Sequence, residues 1–232
     1  NGTLLMINDI YFPIELPFGL SKLCLIHPKS IIVIAGSKSA GKTATLLSVA
    51  LENQNKVPVV YFNSDMGDEE YTDRVTKMGC TCEEDIRFKI YNRSSDFHDL
   101  ITDEKKIFII DFLEIHENFY EIGKPIKQIW EKLRDGIAII AIQMKAGGTV
   151  ARGGEFTKEK ARLYLSMDFL ASDSCSMVTI VDAKAPTALY PDGVKNWHRK
   201  VKIVGGSRFE YLDKWNNYGI AESTEKKAPF YR

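Results

Sequence analysis

The chain has 232 residues, 44% of them apolar, and 31 lysines and arginines balance 31 aspartates and glutamates. This is the composition of an ordinary soluble globular chain, sized for one domain around one core, and its zero net charge gives no overall pull toward a polyanion. The four cysteines form no C-x-x-C pair, the four histidines lack metal-ligand spacing, no signal peptide is visible, and no apolar run approaches the ~20 residues of a membrane span, so free thiols in a reducing cytoplasm are expected.

Strand and helix signals alternate along the chain. After a lead-in over residues 1–15, Ile31 to Ala35 is a β-branched apolar run that reads as a buried parallel strand. Lys42 to Asn53 has helical spacing. Val57 to Phe62 predicts a second strand, Glu69 to Met78 a helix and Ile86 to Tyr91 a short strand. Ile107 to Ile110 is a strongly buried strand ending at Asp111. Pro125 to Arg134 predicts a helix, and Ile137 to Ile142 a buried strand ending at Gln143. The pattern then breaks into a glycine-rich stretch, Lys145 to Gly154, which reads as a mobile loop. Leu163 to Leu170, Met177 to Ala183 and Val201 to Ile203 predict later strands, with a turn at Tyr190 to Gly193, and residues 217–232 form a polar, loose tail. Alternation of this kind predicts an α/β fold: a mostly parallel twisted sheet with helices on both faces. Ligands of such sheets bind at the carboxyl ends of the strands.

The chemistry-bearing candidates all stand just past strand ends. Gly36-Ser37-Lys38-Ser39-Ala40-Gly41-Lys42-Thr43, followed by Ala44, fits G-x-x-x-x-G-K-T between a buried strand and an amphipathic helix. Glycine lets the backbone bend and approach a phosphate, and the N–H groups at the helix start then face the anion. Lys42 is expected to reach the β- and γ-phosphates of ATP, and the Thr43 hydroxyl to bind Mg²⁺. Asp111 stands where a P-loop protein holds the Mg²⁺ shell. Asp65, after the strand that follows the P-loop helix, could orient an attacking water; the competing reading is a turn aspartate that opens the next helix. Gln143 could sense a γ-phosphate, or be an exposed loop residue.

Taken together, Gly36–Thr43, Phe62-Asn63-Ser64-Asp65-Met66, Ile110-Asp111-Phe112-Leu113 and Gln143-Met144 make the chain resemble the RecA-like ATPase domain of hexameric DnaB-type replicative helicases, especially phage and mobile-element versions. The likeness runs from about Leu16 to Leu212. It implies a RecA-like P-loop NTPase fold, an ATP site between the subunits of a homo-oligomeric ring, and single-stranded DNA as partner. It puts Asp65 at the place of the catalytic glutamate and makes Gln143 the link between γ-phosphate and DNA-binding loops. Lys184 becomes the lysine that reaches a neighbour's ATP, and the segment with Lys145, Arg152 and Lys158 becomes the channel loop. Lys160 and Arg162 add to its positive excess over Glu155 and Glu159.

Two departures stand out. Aspartate replaces glutamate at Asp65, and Pro186 occupies the place of the arginine finger, for which Arg199 or Arg208 would have to substitute. The chain begins at Asn1 without methionine, and the family's N-terminal domain has no counterpart in it, which leaves room for a missing one. Two further readings therefore compete with a DNA motor: a KaiC-like or recombinase-like ATPase, and a non-hydrolysing ATP-binding partner or loader of a replication protein.

Overall fold

The structure is a computed structural model that describes residues 10–113, 122–148, 150–151 and 154–217. Nine strands form one sheet in the order β3-β2-β4-β5-β1-β6-β7-β8-β9. They are β1 Ile31–Gly36, β2 Val59–Asn63, β3 Lys89–Asn92, β4 Ile107–Leu113, β5 Ile137–Gln143, β6 Ala161–Leu170, β7 Cys175–Ala183, β8 His198–Val204 and β9 Arg208–Tyr211. Among the described residues three α-helices accompany them: α1 Lys42–Asn53, α2 Asp68–Lys77 and α3 Gly123–Lys132.

β1 to β6 pair in parallel, and β6 to β9 form an antiparallel extension. The parallel centre is apolar on both sides because alternate residues feed two cores. Ile32, Ile34, Ile107, Ile109 and Ile139 face one core with Leu46, Leu47 and Ala50 of α1 and Val75 of α2. Ile31, Val33, Phe108, Ile110 and Ile140 face the other with Ile126 and Ile129 of α3. The expected α/β sheet with helices on both faces is what forms.

Several boundaries differ from the sequence reading. β2 starts at Val59, not Val57, because Pro58 has no N–H and serves the sheet only through its carbonyl, which accepts from Ile107 at 3.0 Å. β3 starts at Lys89, after a 3₁₀ turn at Glu83–Asp85 that Asp85 holds by accepting from Thr81 N–H at 2.7 Å. β8 is longer than expected, and β9 lacked a hydrophobic pattern to announce it. The segment after Gln143 is not free where it is described. Met144 is buried, Gly147 N–H donates to Asp168 at 2.7 Å, and Ala151 N–H donates to the buried Tyr164 hydroxyl at 2.9 Å. Among the described residues no helix is long and apolar enough to cross a membrane.

Candidate functional site

The sheet register brings four candidates to one end of four adjacent strands. Gly36 pairs with Gln143 across β1 and β5, and Asn63 pairs with Asp111 across β2 and β4. β5 lies between the P-loop strand and the strand carrying Asp111, so Gln143 stands between them. A cavity of about 680 Å³ opens there, within the size range of ligand sites.

The P-loop forms one wall. Gly41 has φ 97°, and a side chain there would meet Ile203 Cδ1 at 2.4 Å. Gly36 leaves room for Lys42, whose Cγ would lie 2.7 Å from an added Cβ. Lys38, Ser39, Gly41, Lys42, Thr43 and Ala44 line the cavity. Ser37 and Ala40 are buried behind it, and the Ser37 hydroxyl accepts from Phe169 N–H at 3.0 Å. The Lys42 ammonium donates to the carbonyls of Gly36 (3.1 Å) and Ser37 (3.0 Å) and to Gln143 Oε1 (3.3 Å). Burial lowers its pKa, and the nearby Asp111 partly offsets that.

Asp111 forms the floor and is 3% exposed. Its Oδ1 accepts from Thr43 Oγ1 at 3.2 Å and its Oδ2 from Tyr61 OH at 2.6 Å. Burial raises the Asp111 pKa above the usual aspartate value, against the lowering effect of the Tyr61 and Thr43 hydroxyls and of Lys42. A hydroxyl and a carboxylate meeting in this cavity are hard oxygen donors, and they fit Mg²⁺, which keeps waters and substrate oxygens as its remaining ligands. No group of three or more His, Cys, Asp or Glu able to hold a metal occurs among the described residues, so this is not an all-protein metal cage.

Asp65 is exposed and lines the cavity mouth. Its turn is built by Asn63, whose Oδ1 accepts from the Asp65 (3.4 Å) and Met66 (3.0 Å) N–H groups. The Asn63 Nδ2 donates to Met66 O at 2.7 Å and to Asn92 Oδ1 of β3 at 3.0 Å. Ser64 ties this turn to β4: its hydroxyl accepts from Phe112 N–H at 2.8 Å, and its own N–H donates to Asp111 O at 2.9 Å. Sequence reasoning missed both supports. Asn63 and Ser64 stand next to Asp65, but their strand partners Asn92 and Phe112 lie 29 and 48 residues further along the chain.

It also missed Arg74. This α2 side chain lines the cavity, is held by Glu70 at 2.7 Å, and donates to Gly206 O at 2.9 Å in the β8–β9 turn. The usable signal was an arginine with a glutamate four residues before it, on the helix that follows Asp65. Opposite, the hairpins of the antiparallel extension supply Phe169, Cys175, Ser176 and Ile203. The Ser176 hydroxyl is buried without a hydrogen-bond partner and faces this cavity, an opening for a polar ligand atom.

The remaining predicted residues lie elsewhere. Lys184 follows β7, and Ala183 pairs with Leu163, which pairs with Ile32 near the start of β1. It is exposed at the sheet end opposite the P-loop and takes no part in this chain's own cavity. Lys145 is exposed just beyond β5, Arg152 lies outside the described residues, and Lys158 lines a different cavity. Arg199 is not free to act as a finger. It donates to Phe18 O (2.8 Å) and Asp213 O (3.0 Å) and stacks on Tyr211 at 4.0 Å. Pro186 bridges to Cys24, while Arg208 is exposed and makes no ion pair or side-chain hydrogen bond among the described residues.

Similar architecture recurs in solved structures. A DnaB-like replicative helicase, solved for its interactions with primase, matches with TM-score 0.63 at 15% identity, covering 85% of this chain and 63% of that one. The RadB recombinase matches with TM-score 0.59 at 14% identity over 80% and 92% of the two chains. The fold is RecA-like. A KaiC-like protein from Pyrococcus horikoshii shares it too, with TM-score 0.62 at 13% identity over 87% of this chain and all of that one. No protein-family profile matches the sequence, and no curated protein does. At these identities the RecA-like likeness rests on backbone geometry.

Proposed function

We propose that this chain is an ATP-hydrolysing motor domain that acts on single-stranded DNA as a ring-forming, replicative-helicase-like assembly. The observation that carries the reading is the convergence of Lys42, Thr43, Asp65, Asp111, Gln143 and Arg74 on one cavity at the carboxyl ends of the strands. ATP enters with its phosphates against the N–H groups at the start of α1. Lys42 exchanges its bonds to the Gly36 and Ser37 carbonyls for the β- and γ-phosphates, a stronger charge-assisted contact. Thr43 and Asp111 would hold Mg²⁺, which supplies charge neutralisation of the phosphates when bound. Asp65, at the mouth, orients the attacking water and accepts its proton. Arg74 supplies a cation beside the developing charge.

Gln143 gives the site an output. Its Oε1 accepts from the Lys42 ammonium at 3.3 Å. When a γ-phosphate takes Lys42, that acceptor is released, and Gln143 is bonded through Nε2 to the carbonyl of Met144, the first residue of the segment leading to Lys145. Nucleotide state thereby reaches the candidate DNA-contacting loop. The second reading is an ATP-binding partner that hydrolyses slowly. Arg199's structural engagement and Pro186's place in a backbone bridge favour it, since neither can act as an arginine finger.

ATP turnover measured with and without single-stranded DNA decides between them. A motor shows turnover that rises with DNA, and Gln143→Ala keeps basal turnover while losing the rise. Tight ATP binding with negligible turnover under both conditions would establish the slowly hydrolysing partner instead.

A further inference from the structure

A second cavity, of about 700 Å³, lies on the opposite face of the antiparallel extension. Side-chain alternation along β8 separates the two. Val201 enters the core beneath α1 and Ile203 reaches Gly41, so His198 and Lys200 project to the other face. Val181, on the cavity floor beside Met177, belongs to the core on the α3 side.

The lining is cationic. Lys158, Lys195 and Lys200 surround it with a single carboxylate, Asp213, whose Oδ1 already accepts from Lys200 N–H at 2.8 Å. Lys195 is exposed and makes no ion pair among the described residues. The Lys200 ammonium pairs with Asp173 at 2.7 Å, but both side chains are about 40% exposed, at 38% and 41%, and such a pair is weak enough to be exchanged for a stronger anion. His198 supplies the second line of argument. Its residue is 9% exposed, its backbone is paired both ways with Asn216, and its imidazole lines the cavity with no hydrogen-bond partner among the described residues. Its ring nitrogens are not sealed from solvent, so they stand open to a ligand's polar atom in the cavity.

We infer that this cavity binds a nucleotide unit of a single-stranded nucleic acid. Its phosphates lie against Lys195 and Lys200, a polar atom meets His198, and its sugar and base cover Met177 and Val181. The cations match the phosphates of that ligand, and the base packs on the aliphatic pair rather than stacking on a Phe, Tyr or Trp ring, none of which lines the cavity. The inference rests on the DNA-motor reading, and it places the strand on β7 and β8 as well as on the loop after β5. Because β8 also presses Ile203 against the P-loop, one strand carries both sites.

The test is binding of a fluorescent oligothymidylate to the full chain with ATP and Mg²⁺, across a salt titration. Lys195→Ala with Lys200→Ala removes two phosphate contacts, which lowers the log–log salt slope by about 1.4 and weakens binding about 25-fold at 0.1 M salt. Lys195→Arg with Lys200→Arg keeps both charges and the parent affinity. ATP affinity stays that of the parent in both variants, which shows that they are folded. If the parent binds the oligomer, the alanine variant binds it equally well, and only Lys145→Ala weakens it, the DNA reading survives and this cavity is not its site. No binding by the parent at any salt concentration overturns both.

Discussion

Tyr61→Phe tests the floor of the proposed nucleotide site with one atom. Tyr61 is fully buried, and its ring packs against Phe88 at a centroid distance of 5.9 Å, contacts that phenylalanine keeps. What is lost is the hydroxyl 2.6 Å from Asp111 Oδ2. A hydrogen bond to a charged group is worth about 1.5–3 kcal/mol, one between neutral groups about 0.5–1.5 kcal/mol. Which value applies depends on whether Asp111 is ionised. Burial raises the folded pKa of Asp111 above its ordinary 3.8, so the favourable neutral form stabilises the fold at low pH and that contribution is lost as pH rises through the raised folded value. The Tyr61 bond counters the rise by favouring the carboxylate, so removing it raises the Asp111 pKa further. The destabilisation measured by urea unfolding should therefore be about 0.5–1.5 kcal/mol at a pH below 3.8 and grow to about 1.5–3 kcal/mol at pH 8. The acid limb of Mg²⁺-dependent nucleotide binding should move to higher pH in the same variant. A destabilisation that is flat with pH, or largest in acid, would refute the assignment of Asp111 as a buried carboxylate held by this hydroxyl.

The other expectations concern the walls and mouth of the site. Lys42→Ala should abolish tight ATP binding in calorimetry, since the P-loop loses the ammonium that meets the β- and γ-phosphates; parent-like binding would show that the loop holds something else. Asp65→Asn should leave ATP affinity near that of the parent and cut turnover by about 10²-fold or more, while Asp65→Glu keeps activity; an unchanged rate in Asp65→Asn would place the water elsewhere. Gly41→Ala should destabilise the fold by about 1–2 kcal/mol through its left-handed backbone alone. Pairing it with Ile203→Val relieves the contact at 2.4 Å but not the backbone cost, so full recovery in the double variant would mean that φ at Gly41 is unimportant.

How much of this could be read along the chain follows from range. Apolar runs of β-branched residues marked β1, β4 and β5, because a strand buried on both faces has no polar positions to disguise it. The Gly36–Thr43 loop was legible because its glycines, lysine and threonine form one contiguous pattern between a strand and a helix. Asp65 and Gln143 were legible as strand-end residues, since parallel strands deliver their carboxyl ends to one edge, whereas Asp111 lies inside β4, which runs on to Leu113. Of the edge elements, β3 was legible with its start misplaced and β9 was not: both are exposed, so no buried stripe constrains their sequence.

Only tertiary structure decided what surrounds these residues. The Tyr61 hydroxyl, the Ser64 tie to β4 and the Arg74 bridge to Gly206 join segments 48 to 132 residues apart. It also decided which cations are available, engaging Arg199 with Phe18 and Asp213 and sending Lys184 to the far end of the sheet. Local sequence states which side chains can do chemistry. Sheet order and register, set by burial of the two cores, determine which of them meet.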